Sequence, residues 1–335
     1  MLLNFALMLV GKELIIATKP FAKEIVWKSW FHTISSFFLL IGSLIGTIYL
    51  PNIFGRIISS IFSAMLLSRV FIIFHDYQHH TILHKSVLAK ILFTIFGVYM
   101  ISPPSIWKRS HDFHHNHNAK LYSASIGSFP IMTKEKFMQA SKSEKFVYLS
   151  IRNPLNMFFA YFTTFMYGLC IQSFLSSARR HWDSLVILII HFTIAIFLFI
   201  HFGPLTWFLT FFLPFFLSHM LGSYLFFAQH NFPEVVFRSN TEWTYANAAL
   251  ESSSYMKMNP FMEWVTANIG YHHIHHLNSR IPFYRLPEAM ASIKELQNPK
   301  TTSLKFSDIR KCLRLKVWDP EQNKMIGFSE MNYSR

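Results

Sequence analysis

Four apolar runs decide what this chain can fold into: about Phe31–Leu50, Ile57–Phe74, Ser184–Phe202 and Leu205–Ala228. Each is close to the roughly 20 helical residues that cross a hydrocarbon core of about 30 Å. Lipid offers backbone groups no hydrogen-bond partner, so such runs must be helices, whose N–H and C=O groups pair within the segment. Pro51-Asn52 and Gly55 make a turn between the first two runs, which predicts a helical hairpin. With 52% hydrophobic and only 14% charged residues, the 335-residue chain is not an ordinary soluble domain. Two further apolar stretches are weaker. Ser86–Ile106 carries Lys90 and closes on Pro103-Pro104, which suits a helix lying at the surface. Asn156–Ser176 is long enough to cross, but Gln172 and the following Arg179-Arg180 argue for the cytoplasmic face.

A net charge of +14 raises nucleic acid as a partner, and the placement of the charge argues against it. Lys12, Lys19, Lys23, Lys28, Lys108, Arg109, Lys134, Lys136, Arg179, Arg180, Lys294 and Arg310 all fall outside the longest apolar runs, as expected of cytoplasmic segments beside anionic lipid. Arg69, late in the second run, suits an anchor that snorkels to the interface. Cys170 and Cys312 are the two cysteines, so neither a disulfide framework nor a Cys-type zinc site is expected. The N-terminus lacks the basic region and cleavage site of a removable signal peptide and is expected to lie in the interface.

Three histidine clusters border these runs: His75, His79, His80 and His84; His111, His114, His115 and His117; His272, His273, His275 and His276. His75 and His79 stand four apart, on one face of a helix continuing the second run. His111, His114 and His115 have the spacing i, i+3, i+4, which His272, His275 and His276 repeat. Eight convergent imidazoles suit two metal ions better than a single tetrahedral zinc. The Glu-x-x-His pairs of carboxylate-bridged di-iron bundles and the His-Glu-x-x-His zinc motif are both missing from the sequence. Imidazole alone does not name the metal, but a site facing alkyl chains favours iron and oxygen chemistry over hydrolysis.

The remaining histidines read differently. His191, His201 and His219 lie inside apolar runs and suit helix-packing hydrogen bonds. His80, His84, His117 and His273 break the ligand spacing and suit supporting or surface roles. Asp76 and Asp112 follow the first histidine of their clusters, where each either orients an imidazole or is a solvated surface group. His230, in Gln229-His230-Asn231, is either a ninth nitrogen or a hydrogen-bonded interfacial residue.

Ligands from all clusters must share one side of the membrane, so an even number of crossings must separate His115 from His272. The expected architecture is an all-α integral membrane protein with about four transmembrane helices in two hairpins and a cytosolic cap carrying the di-metal site. In one integrated domain, 1–30 form an N-terminal interfacial segment, 31–74 the first hairpin, 75–183 a cytosolic and interfacial region, 184–228 the second hairpin and 229–335 the cap. Within the cap, LPEAMASIKEL is patterned as an amphipathic helix and LKVWDPEQNKMIGF as two short strands around a turn.

The motifs HDYQH, HDFHH and HHIHH resemble the three His boxes of the membrane fatty acid desaturases. The likeness extends to RVFIIFHD, WKRSHDFHH, IRNPLNMF, FAQHNF and NIGYHHIHHLNSRIPFYRL, from about Trp27 to Phe328, and looks most like the bacterial omega-6 (Δ12-type) acyl-lipid branch. The resemblance implies a mushroom-shaped protein with a narrow acyl-chain tunnel and two iron ions held by His75, His79, His111, His114, His115, His230, His272, His275 and His276. It implies dioxygen as co-substrate, a fatty acyl lipid as substrate, and an external electron carrier of ferredoxin or cytochrome type, since the chain has no flavin or nicotinamide fingerprint. Tyr77-Gln78 replace the Cys-Gly pair common inside the first box, a departure that bears on substrate and double-bond position more than on metal binding. The nearest rivals keep the metal site but insert oxygen, as lipid or alkane hydroxylases and carotenoid ketolases do. A histidine-rich metal transporter is the rival of another class; it would place ligands near the bilayer midplane, whereas these lie at the ends of runs.

Overall fold

The computed structural model describes residues 9–122 and 127–331; the first residues of the expected interfacial segment lie outside that range. A short helix α1 (Gly11–Ala17) precedes the first hairpin, made by α2 (Val26–Tyr49) and α3 (Ile53–Gln78). The turn between them is fixed by Asn52, whose side chain accepts from the Gly55 N–H at 2.7 Å and caps α3. Helix α4 (Val87–Tyr99), capped by Ser86, is too short to span, and α5 (Trp107–His117) follows the Pro103-Pro104 break and carries the second box.

The second hairpin is one apolar helical stretch of 49 residues, Trp182–His230. Kept straight it would measure about 73 Å, more than twice a hydrocarbon core. It does not stay straight. Gly203 takes φ 80° and ψ 168°, a conformation open to glycine, and breaks α6 (Trp182–Trp207) one turn before its end, ahead of a π-helical turn (Phe208–Phe212) and α7 (Leu213–His230). The chain folds back there, since the His191 ring lies 4.7 Å from that of Phe211 and 4.9 Å from that of Phe215. The tips of the two hairpins are tied together: Thr47 and Thr210 share a hydroxyl hydrogen bond of 2.6 Å, and Arg56 donates to Thr47 O and to Thr206 Oγ1. His75 and His230 lie at the opposite ends of α3 and α7 from these tips. Three long apolar helices, the third doubled back on itself, thus give an all-α membrane architecture.

The stretch Pro154–Ser176 is helical but largely π-wound, and packs on the second hairpin through Tyr161, whose hydroxyl lies 2.5 Å from His191 Nε2. His219 donates from Nδ1 to Phe215 O at 2.7 Å; both histidines are packing groups, as expected. Arg69 departs from its expected role as a snorkelling anchor. It is only 2% exposed, donates to Ser36 Oγ at 2.9 Å and to Trp264 O, and lies 4.4 Å from the Trp264 ring centre. Sequence position gave its depth but not its rotamer, and turning inward lets it tie α2 and α3 to the cap.

The cap runs from Asn231 onward. It contains α8 (Tyr245–Ser252) and α9 (His272–Leu277), a parallel pair β1 (Tyr255–Lys257) with β2 (Thr301–Ser303), and an antiparallel pair β3 (Val317–Asp319) with β4 (Lys324–Ile326). The described part of the N-terminus packs on it: Leu14 is 1% exposed, and Asn278 donates to Thr18 Oγ1 at 2.8 Å.

Candidate metal centre

Each box is presented by a helix end. His75 and His79 sit on the last turn of α3, and His80 (φ 56°) takes the left-handed conformation that ends the helix there. His80 and His84 are consequently exposed, away from the other histidines. The third box needs a close approach: a Cβ on Gly270 would stand 2.6 Å from Met256 O, so only glycine lets α9 start against β1.

The structure gathers the nine histidines singled out above into two groups, His75, His79, His111, His115 and His275, and His114, His230, His272 and His276. In each, the candidate ligand atoms lie within 4.8 Å of one another. The grouping cuts across the boxes. Every i, i+4 pair shares a group, whereas the i+3 residue crosses over: His114 leaves the second box for the four-histidine group, and His275 leaves the third for the five-histidine group. On a helix, successive residues point about 100° apart, so His114 and His115 enter different groups.

All the contacts are between Nε2 atoms. His111 Nε2 lies 2.8 Å from that of His75, 3.0 Å from His79 and 3.1 Å from His115, and His275 lies 3.2 Å from His115. In the second group, His230 Nε2 lies 3.1 Å from His114 and 2.9 Å from His272, and His276 lies 3.2 Å from His272. A ring nitrogen has one proton or one lone pair, so His111 cannot satisfy three neighbours by hydrogen bonding. A cation at the common point can. A metal–nitrogen bond of about 2.1 Å puts neighbouring nitrogens about 3.0 Å apart at right angles and about 3.4 Å apart in a tetrahedron; most of these separations lie in that range, and the two shortest, 2.8 and 2.9 Å, lie just below it.

Outer nitrogens fix the tautomer. His230 Nδ1 donates to Ser252 O at 3.1 Å, leaving its Nε2 lone pair for the centre, and His114 Nδ1 pairs with Ser128 Oγ at 2.7 Å. Asp76 is buried, with Oδ1 3.4 Å from His75 Nδ1 and Oδ2 accepting from the Phe283 N–H at 2.7 Å. It therefore ties the first box to the segment beyond the third. Asp112 takes the other course, an exposed ion pair with Lys108 at 2.8 Å. His117 stacks on Phe113 and bonds Phe113 O, and His273 turns to Leu296 O at 3.4 Å; neither joins the groups. Trp107, a residue without a role in the motif reading, stacks on the His111 ring at 5.0 Å. Its signal was its place four residues before His111, on the same helical face.

Burial, then the charge of neighbouring imidazoles and cations, holds His79, His111, His114, His115, His272, His275 and His276 well below the ordinary 6.5. They are neutral, the form a metal needs. In the metal-free protein the unfolded chain binds more protons than the folded one once pH falls below 6.5, so stability is full above that value and declines beneath it. Thermal unfolding of chelated protein in detergent should show a lower midpoint at pH about 5.5 than at about 7.5, and equal midpoints would contradict neutral imidazoles.

The family model described as fatty acid desaturase matches residues 21–305. A Bacillus subtilis fatty acid desaturase is 30% identical over 277 residues, covering 82% of this chain and 78% of its own. An sn-1 oleoyl-lipid 12-desaturase of Synechocystis is 24% identical, covering 81% and 77%. The chloroplastic omega-6 fatty acid desaturase of Spinacia oleracea is 24% identical over 69% of this chain and 53% of its own.

Proposed function

This chain belongs to the fatty acid desaturase family, and from that premise we propose that it places a cis double bond at the Δ12, omega-6 type position of a membrane-lipid acyl chain, using two iron ions held by the nine clustered histidines. Family membership makes it a membrane-associated oxidoreductase acting on a lipid substrate. The convergence of nine Nε2 atoms into groups of five and four carries the two-ion reading. The donor set is imidazole throughout, compatible with iron, copper, nickel or zinc. Desaturation removes two hydrogens and consumes dioxygen, so the bound metal must supply redox chemistry, which zinc lacks and iron has. The Δ12 position is supported by the names of the cyanobacterial and chloroplast relatives.

The chain's own residues do the rest. Buried neutral imidazoles give the ions their ligands, Asp76, Ser128 and Ser252 orient them, and Trp107 with Phe71 and Phe74 walls the five-histidine group from water. A cavity of about 70 Å³, walled by Phe113, Phe129, Phe226 and Phe227, reaches His114 and His230. The cytoplasmic placement of the centre rests on charge: between Phe31 and Ser68, and again between Trp182 and His230, the only lysine or arginine is Arg56, at the hairpin tips. Electrons come from an external ferredoxin or cytochrome carrier on that face.

Gas chromatography with mass spectrometry of total fatty acids from a host making this chain tests the proposal, beside His275→Ala. New cis-Δ12 chains that vanish in the variant are expected. Hydroxylated chains would move the chain to an oxygen-inserting activity, and a double bond elsewhere would overturn the position alone.

A further inference from the structure

Gln229-His230-Asn231 closes α7, and each of its side chains grips a different part of the cap. Gln229 donates to Ile269 O at 2.9 Å, His230 to Ser252 O at 3.1 Å and Asn231 to Cys312 O at 2.7 Å. The Asn231 oxygen in turn accepts from Arg152 Nη2 at 2.5 Å. The same guanidinium donates to Pro130 O at 3.0 Å and Leu315 O at 3.4 Å.

Arg152 is 0% exposed, lies over the rings of Tyr148 and Phe227, and has neutral acceptors at all three contacts. Its Nε has no hydrogen-bond partner among the described residues. Burying a cation without a counter-ion costs several kcal/mol, and an apolar residue would fill the same volume at less cost. What arginine alone provides is a rigid planar fork that reaches three segments in fixed directions. Those segments meet beside His230, the hub of the four-histidine group and the last residue of a helix that would otherwise fray there.

Resting on the two-ion reading above, we infer that Arg152 is the positioning residue of the four-histidine group: it pins Asn231 to the Pro130 and Leu315 segments and so holds His230 where the second ion binds. The five-histidine group meets the four-histidine group ring to ring, His115 on His276 at 4.2 Å, and none of the Arg152 hydrogen bonds goes to its members.

The test is metal stoichiometry of the full chain purified in detergent and titrated with Co(II), read by elemental analysis and by the visible absorption of the bound ion. Wild type should bind two ions per chain; fewer would remove the two-ion reading itself. Arg152→Gln should keep one ion tightly and bind the other about 10–100-fold more weakly, the cost of losing an outer partner of a ligand. Adding His79→Ala to Arg152→Gln should leave no tight site, which assigns the retained ion to the five-histidine group. Because Arg152→Gln also cuts the Pro130 and Leu315 contacts, Asn231→Leu is measured beside it; it keeps those two contacts, removes the Asn231 bonds to Arg152 and to Cys312 O, and should give the same weakened second ion. Two tight ions in both variants, equal weakening of both ions, or aggregation of both variants would each overturn the inference.

Discussion

Replacing His111 with alanine should abolish desaturation, whereas replacing His117, in the same cluster, should leave it within about two-fold. The contrast follows from geometry. His111 Nε2 is the hub of the five-histidine group, with three other Nε2 atoms at 2.8, 3.0 and 3.1 Å. Losing it removes a ligand and takes away the neighbour about which His75, His79 and His115 are arranged. An outer partner of a ligand costs about 10–100-fold in affinity or activity, and a central ligand must cost more, so a loss beyond about 100-fold is expected. His117 lies two residues past His115, pointing away from both groups to bond Phe113 O and stack on its ring at 3.9 Å. Product yield in whole cells and metal content of the two purified variants check this. A His117→Ala variant as inactive as His111→Ala would mean that His117 serves the centre as well.

The spans and boxes were legible because each rests on one periodicity. Apolar runs of sufficient length must be helices, and i, i+4 spacing puts two imidazoles on one face whatever surrounds them. His75 with His79, His111 with His115 and His272 with His276 are such pairs, and each pair shares a group. The i+3 residues were not legible. The spacing i, i+3, i+4 predicts one side of the helix for His111, His114 and His115, but the 100° between His114 and His115 matters as soon as two histidine groups lie side by side, and only the packing of α5 against α7 and α9 says so. The same holds for His230: its spacing to other histidines is uninformative, and the approach of α7 to α9 brings its Nε2 to 2.9 Å from His272. Ser128, Ser252 and Arg152 were beyond the sequence for a related reason. A serine hydroxyl, a carbonyl and a buried arginine carry no spacing signal, and their roles exist only once distant segments meet. Asp76 and Asp112 make the point within one motif. Both follow the first histidine of a box, yet one is buried against Phe283 and the other pairs with Lys108 in solvent, a difference set by what covers each helix end.

Trp107→Ala should cost both stability and metal. The side chain is 9% exposed and meets Phe74 at 5.4 Å and Phe71 at 5.8 Å, while its face stacks on His111 at 5.0 Å with 16° between planes and its edge meets His75 at 6.2 Å. Truncating a buried tryptophan costs about 3–5 kcal/mol through lost burial and the cavity left behind. Here the cavity would border the ligands of an ion, so the cost has a second part: water gains access to the five-histidine group, and His75 and His111 lose the wall that restricts their rotation. Thermal unfolding and metal content of the purified variant should therefore fall together. Trp107→Phe separates the two effects, because a smaller ring keeps a face for His111 but fills less of the space beside Phe71 and Phe74. It should lose less stability than the alanine variant and retain its metal. If Trp107→Ala unfolded at a lower temperature yet held both ions as tightly as wild type, the tryptophan would be packing alone, and the orientation of His75 and His111 would have to come from Asp76 and the neighbouring imidazoles.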